Sequence, residues 1–132
     1  ELVRLAHKNN IRIIPLVGPS SILLALMASG LNGQQFAFNG YLPIESNARI
    51  SKIIELEKLS ISRNQTQIFI EAPYRNQKLL EQLVKTCSDS TNLCIASHLT
   101  FSNEMVATRT VKEWNRSLPD INKIPTIFLL HG

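Results

Sequence analysis

The order of apolar and polar positions divides the first third of the chain into alternating helical and extended segments. Apolar residues recur at helical spacing in residues 1–8 (ELVRLAHK) and predict a short amphipathic helix. Residues 11–17 (IRIIPLV) are rich in β-branched and aliphatic side chains and predict a buried strand, which the following Gly-Pro pair ends. A second apolar run, residues 22–28, predicts a buried helix with Ser20 as its cap and Gly30 as its end.

After Gly33 the pattern predicts further strands separated by two long helices. The strand segments are FAFNGYLP, TQIFIEAP, NLCIASHLT, NEMVATRTV and IPTIFLLHG, and the fourth passes into a short helix near residues 111–116. One long helix is predicted to begin at Ser46 and the other near Pro73. Their predicted apolar faces are Ile50, Ile53 and Ile54 in the first, and Leu79, Leu80, Leu83 and Val84 in the second. This order of helices and strands is typical of an α/β fold with five or six strands flanked by helices.

Composition bounds the class of protein without choosing a function. The 132 residues are enough for one domain, and 44% hydrophobic with 18% charged residues indicates a globular chain. A net charge of +4 and a pI of about 9.3 permit a nucleic-acid partner. The lysines and arginines are spread along the chain, however, and a solvated basic surface explains the charge equally well.

The cysteines and histidines predict neither a disulfide framework nor a metal site. Cys94 lies within an apolar run and is predicted to be a core residue, and no histidine is spaced from another histidine or a cysteine as metal ligands are. The longest apolar stretch, residues 22–28, is far shorter than the ~20 residues that cross a bilayer. Without a targeting signal, the expected compartment is the cytoplasm.

Three polar segments each follow a predicted strand: VGPSS, EAPYR and SHLTFSNE. Ligands of open α/β sheets bind at the carboxyl ends of strands, so the three segments could converge on one cleft. The hydroxyls of Ser20 and Ser21 fit a carboxylate, a ribose or an amide, although Ser20 could equally serve only as a helix cap.

The other two segments also leave alternatives open. Glu71 and Arg75 suggest a loop that faces a ligand, or a charge interaction at a helix start beside a solvated arginine. His98 could titrate near neutral pH, yet a lone histidine is more often structural. Thr100 could cap a turn. The chain has no P-loop, no Gly-x-Gly-x-x-Gly motif and no nucleophile elbow.

At these places the chain resembles the tetrapyrrole (corrin/porphyrin) methylase family. Four stretches carry the resemblance: PLVGPSSILLALMASGL, FAFNGYLP, IFIEAPYRNQKLLEQL and ASHLTFSNEMVATRTVKEW. They follow one another in the family's order and spacing and cover nearly the whole chain. The likeness is greatest to the branch that methylates a ribose 2′-hydroxyl in small-subunit ribosomal RNA.

The resemblance implies a methyltransferase that uses S-adenosylmethionine and is built from two α/β domains. Residues 1–32 would be the last helix, strand and helix of an otherwise absent amino-terminal cofactor domain, and residues 33–132 would form the carboxyl-terminal domain, with a mixed sheet. The family usually forms homodimers, and the fragment alone is expected to be inactive. The expected partner is ribosomal RNA or the small ribosomal subunit. The alternatives are a methylase of a tetrapyrrole intermediate, and a non-catalytic RNA-binding or dimerisation module.

The resemblance also implies roles for individual residues. The residues expected to contact S-adenosylmethionine are Ser20, Ser21, Glu71, Leu99 and Thr100. Arg75 is expected to make an RNA phosphate or folding contact, and His98 to lie beside the substrate. No residue stands out as the base that a ribose hydroxyl requires, and His98 is the nearest candidate.

The chain departs from the branch at two motifs. It has Ala-Pro-Tyr-Arg at residues 72–75, where the branch usually has Ser-Pro-His-Arg. It has Ser-His-Leu-Thr-Phe at residues 97–101, where the branch usually has Arg-Glu-Leu-Thr-Lys. The second departure removes charges that could orient RNA, so it bears on the substrate more than on the cofactor.

Overall fold

Five helices and five strands make up the fold in the computed structural model, which describes residues 1–132. The helices are α1 (Leu2–Lys8), α2 (Ser21–Ser29), α3 (Ser46–Arg63), α4 (Asn76–Thr86) and α5 (Val111–Trp114). The strands are β1 (Phe36–Tyr41), β2 (Thr66–Ile70), β3 (Asn92–Ser97), β4 (Met105–Thr110) and β5 (Thr126–His131). A single 3₁₀ turn, Pro73–Arg75, leads into α4. No helix is both long enough and apolar enough to cross a membrane.

The strands form one mixed sheet in the order β1-β2-β5-β3-β4. Strands β1 and β2 are parallel, and every other neighbouring pair is antiparallel. Because β5 runs against both β2 and β3, the carboxyl ends of β1, β2 and β3 lie at the same edge of the sheet. The predicted α/β class and mixed sheet are confirmed, and the sheet has five strands.

Side chains alternate between two cores on opposite faces of the sheet. The larger core holds 16 buried residues, contributed by α3, α4, α5 and one face of the strands. At its centre Phe69 of β2 stacks on Phe128 of β5 with ring centroids 5.9 Å apart. On the other face, Ala25 and Leu26 of α2 pack against Cys94 and its neighbours. The predicted buried face of α4 and the core position of Cys94 are therefore confirmed.

The prediction of a buried strand at residues 11–17 is wrong. The segment forms no strand and is exposed throughout, with Leu16 at 91% relative exposure. A strand needs a neighbour that pairs with its backbone N–H and C=O groups, and no strand of this sheet lies beside it. Its β-branched composition is compatible with a strand but does not supply that neighbour.

The start of α3 differs from the prediction as well. Its N-cap is Glu45 instead of Ser46, and the Glu45 carboxylate accepts hydrogen bonds from the N–H groups of Asn47 and Ala48 at 3.0 and 2.7 Å. These bonds lower the pKa of Glu45. The end of α2 is as predicted, because Gly30 adopts a left-handed conformation with φ of 71°.

The buried face of α3 was only partly predicted. Ile53 is buried as expected, but Ile54 is exposed. The buried stripe includes Arg49 and Glu57, whose charges conceal the helical pattern of the apolar residues. Arg49 matters for the site, because it projects from the first turns of α3 toward the end of β2.

Candidate functional site

A cavity of about 250 Å³ lies at the sheet edge where β2 and β3 end. Its walls come from three separate parts of the chain: the start of α2, the end of β2 with the turn that follows it, and the end of β3 with the loop that follows it. The start of β5 closes the space between them. The sheet topology creates this meeting point, because β2 and β3 run in the same direction on either side of β5.

Four of the seven residues singled out in the sequence line this cavity: Ser21, Glu71, His98 and Leu99. The other three, Ser20, Arg75 and Thr100, are not among the lining residues. Two of the predicted polar segments reach the cavity from strand ends. The third, VGPSS, reaches it through the first residue of α2, since no strand precedes it. The three predicted polar segments therefore meet at one cavity, although VGPSS reaches it from the start of a helix and not from the end of a strand.

Glu71 is the only carboxylate in the wall of the cavity, and its side chain is fully buried. Its Oε1 atom accepts hydrogen bonds from the N–H of Ala72 at 2.6 Å and from Nη2 of Arg75 at 2.7 Å. Its Oε2 atom is buried and has no hydrogen-bond partner. One oxygen is therefore held by hydrogen bonds, while the other faces Nη1 of Arg49 at 3.8 Å without forming one.

The environment of Glu71 favours its ionised form. Burial raises the pKa of Glu71, but the hydrogen bonds from Arg75 and Ala72 and the charges of Arg75 and Arg49 outweigh burial. The net result is a pKa below the ordinary value of 4.5. Glu71 is therefore ionised at neutral pH, in a buried cluster with Arg49 and Arg75.

Arg75 is engaged by its neighbours within the protein. Besides the bond to Glu71, its Nη1 atom donates to the hydroxyl of Tyr74, and its guanidinium lies 4.8 Å from the centre of the Tyr74 ring. The hydrogen bond with Glu71 raises the pKa of Arg75. In this arrangement Arg75 holds the carboxylate of Glu71. The RNA phosphate or folding contact expected of Arg75 stays a prediction.

The loop after β3 forms the rim of the cavity and has unusual backbone geometry. His98 and Thr100 have positive φ angles of 50° and 72°. A left-handed conformation is rare for a β-branched residue such as threonine, and such residues cluster at binding sites. The carboxylate of Glu104 accepts a hydrogen bond from the N–H of Thr100 at 2.7 Å and holds the turn in place.

Arg49 does not line the cavity but pairs with Glu71, and the sequence analysis did not predict this role. Its side chain is 2% exposed, and its Nη1 atom lies 3.8 Å from Oε2 of Glu71. Arg49 and Glu71 are far apart in sequence, so no local motif joins them. The available signal was weaker: a basic residue in register with the buried stripe of α3, four positions before Ile53.

The lining suits a ligand with an apolar body and hydrogen-bond donors. Ile70, Ala96, Leu99 and Ile127 supply apolar walls, and the hydroxyl of Ser21 supplies a group that can donate or accept a hydrogen bond. The volume is slightly below the ~300–1,000 Å³ of ordinary ligand pockets. S-adenosylmethionine has amino and hydroxyl donors, a positive charge and a flat base, so these residues fit part of that molecule.

Comparisons with known proteins identify proteins that are similar in sequence to this chain. No protein-family model matches it. It is 31% identical to the ribosomal RNA small subunit methyltransferase I of Vibrio cholerae, over 99% of this chain and 45% of that protein. The protein of the same name from Escherichia coli O157:H7 is 32% identical, over 99% of this chain and 46% of its own length. The chain thus spans a little under half the length of these curated relatives.

The fold has a counterpart among solved structures. The crystal structure of the methyltransferase CobJ matches 99% of this chain and 55% of its own length, with a TM-score of 0.59 and 15% identity. The chain therefore shares its fold with CobJ. Both sequence relatives are named ribosomal RNA small subunit methyltransferase I, which supports the expected resemblance to the tetrapyrrole methylase family.

Proposed function

We propose that the protein containing this chain transfers a methyl group from S-adenosylmethionine to a ribose 2′-hydroxyl of small-subunit ribosomal RNA. The observation that carries the proposal is the meeting of Ser21, Glu71, His98 and Leu99 around one cavity. The resemblance implies that these residues contact the cofactor or the substrate. The relatives named ribosomal RNA small subunit methyltransferase I support the choice of acceptor.

The proposed domain organisation assigns residues 33–132 to the carboxyl-terminal domain of a longer protein. Residues 1–32 would contribute the last elements of an amino-terminal cofactor domain. Helix α2 packs on the sheet through Ala25 and Leu26, so its first residue is held against the carboxyl-terminal part. The cavity would then form one wall of the cofactor site. The proposal includes a homodimer in the cytoplasm, and no activity for residues 1–132 alone.

Within this site the chain's own residues would bind and orient the cofactor. The apolar walls would exclude water from the bound molecule, and residue 71 would form part of the wall that the molecule contacts. S-adenosylmethionine would supply the methyl group, carried on a positively charged sulfur. The proposed role of this domain is positioning, which by itself accounts for a large part of the rate of a transfer reaction.

The proposal is tested on the full-length protein with radiolabelled S-adenosylmethionine. Small ribosomal subunits from cells that lack the endogenous methylase are the acceptor, and the RNA is then digested to nucleosides. Label in a 2′-O-methyl nucleoside is the expected result. Cofactor binding without label would favour a tetrapyrrole acceptor, which is the alternative implied by the family resemblance. Absence of cofactor binding would favour a non-catalytic RNA-binding or dimerisation module.

The two adjacent serines provide a matched pair of variants. Ser21→Leu places a larger side chain at the cavity wall and is expected to weaken S-adenosylmethionine binding by about tenfold or more, which is ~1.4 kcal/mol. Ser20→Leu is expected to have a smaller effect, because Ser20 is not a lining residue and its side chain makes no capping hydrogen bond. Isothermal titration calorimetry on the full-length protein measures both. Unchanged affinity in Ser21→Leu would show that Ser21 does not contact the cofactor. An equal loss of affinity in the two variants would show that Ser20 contributes to the site as much as Ser21 does.

A further inference from the structure

Arg49 is a buried cation with one ion-pair partner, Glu71, and a weaker electrostatic interaction with the exposed Glu45 at the start of α3. Its side chain is 2% exposed, and Glu71 is the one carboxylate within 4 Å of its guanidinium. Its Nε atom is buried and has no hydrogen-bond partner. Burying a charge is costly unless a charge of opposite sign compensates for it. Arg49 therefore depends on Glu71, and a residue maintained at such a cost calls for an explanation.

The distance between the two side chains provides one. Nη1 of Arg49 lies 3.8 Å from Oε2 of Glu71, which is too far for a hydrogen bond but close enough for strong electrostatic attraction. Arg75, in contrast, forms a hydrogen bond to Oε1 at 2.7 Å. The two arginines thus act differently: Arg75 occupies one carboxylate oxygen, and Arg49 stabilises the charge without a hydrogen bond to the other oxygen.

We propose that Arg49 is a positioning residue, which keeps the buried carboxylate of Glu71 ionised and thereby holds residue 71 in place in the wall of the cavity. The identity of the molecule bound in the cavity, S-adenosylmethionine, rests on the proposed function. The pairing of Arg49 with Glu71 does not, because it is defined by the protein alone. Arg49 itself is not a lining residue and acts through the carboxylate.

The charged and titratable groups around Glu71 are few. Arg49 faces it from α3, and Arg75 from the turn before α4. His98 also lines the cavity, and Tyr41 and Tyr74 lie near Arg75. No second carboxylate lines the cavity. Removing the charge of Arg49 therefore leaves Arg75 as the one arginine that opposes the effect of burial, and the pKa of Glu71 is expected to rise.

The first measurement needs no ligand. Nuclear magnetic resonance follows the side-chain carboxyl of Glu71 during an acid titration of the full-length protein. The wild-type carboxyl is expected to titrate below 4.5, Arg49→Gln at a higher pH, and Arg49→Lys between them. The matched control is Arg63→Gln, an exposed arginine in the last turn of the same helix, which should titrate as the wild type does.

The second measurement is S-adenosylmethionine affinity as a function of pH. Arg49→Gln is expected to bind about tenfold more weakly than the wild type, with the loss growing as the pH falls toward 5. Arg49→Lys should restore most of the affinity. Glu71→Gln should bind weakly at every pH, and the double variant Arg49→Gln/Glu71→Gln should bind no more weakly than Glu71→Gln alone.

These outcomes separate the inference from the proposed function. If Glu71 titrates at the same pH in Arg49→Gln and in the wild type, or if the losses of the two single variants add in the double variant, the positioning role is wrong. If the wild-type protein does not bind S-adenosylmethionine, the proposed function fails, while the titration still decides the role of Arg49. If Arg49→Gln does not fold, the guanidinium nitrogen signals of wild-type Arg49 decide it. They should follow the titration of Glu71, and independence would overturn the inference.

Discussion

Replacing Phe128 by alanine is expected to lower the free energy of unfolding by about 3–5 kcal/mol. Phe128 is fully buried in β5 and stacks on Phe69 of β2 with an angle of 10° between the rings. Strand β5 is hydrogen-bonded on both sides, to β2 and to β3. Because both ladders hold the backbone in place, the structure around residue 128 cannot collapse easily into the space that the ring leaves, and most of the cavity cost remains.

Urea denaturation followed by circular dichroism measures this loss. The control is Phe101→Ala, which removes a phenylalanine that is 65% exposed and should change the stability by less than ~0.5 kcal/mol. A loss below about 1 kcal/mol in Phe128→Ala would contradict the described packing of the larger core.

Replacing Glu71 by alanine is expected to have an effect of similar size, about 3–5 kcal/mol, by an electrostatic route. The variant leaves Arg49 buried without its acidic partner, and Arg75 loses its hydrogen bond at 2.7 Å. Glu71→Gln keeps the volume and one acceptor, so it should be less destabilising than Glu71→Ala. The control is Glu55→Ala, which breaks an exposed ion pair with Lys52 on α3 and should cost ~0–1 kcal/mol.

The same pair predicts how stability depends on pH. The pKa of Glu71 is lowered in the folded protein, so the unfolded chain binds its proton more readily as the pH falls. The contribution of Glu71 is therefore fully present above its ordinary pKa of 4.5 and is lost as the pH falls through the lower pKa of the folded state. Wild type and Glu71→Gln should converge in stability over that acidic range. Denaturation curves recorded at several pH values measure the difference, and a constant gap down to the lowest pH would contradict the assigned charge state.

Much of the fold follows from local sequence patterns. The helical spacing of Leu79, Leu80, Leu83 and Val84 predicts the buried face of α4, because the larger core needs an apolar stripe at that place. The passage from β4 to α5 is also local, since Thr110 caps α5 through reciprocal hydrogen bonds with Glu113. Patterns of this kind specify an element together with the face that it buries.

The remaining features depend on partners distant in sequence. Residues 11–17 have the composition of a strand, but a strand forms only beside another strand. The pairing of Arg49 with Glu71 could not be predicted from the sequence, for a related reason. A charge in a helix normally indicates the solvated face, and only the folded chain shows that each of the two compensates for the burial of the other. Glu71 was predicted as a site residue because it directly follows a strand. Arg49 lies within a helix, so its position in the sequence gave no comparable signal.

The central position of β5 has a consequence for synthesis on the ribosome. Strands β1 to β4 all leave the ribosome before residues 126–131, yet β2 and β3 are joined only through that segment. Until it arrives, the nascent chain holds two separate strand pairs, each with an unpaired inner edge and an uncovered apolar surface. Such edges are sites of aggregation and of binding by chaperones. Completion of the sheet is therefore tied to β5, which is made after the other four strands, and a ribosome stalled before residue 126 would hold an incomplete sheet with both inner edges exposed.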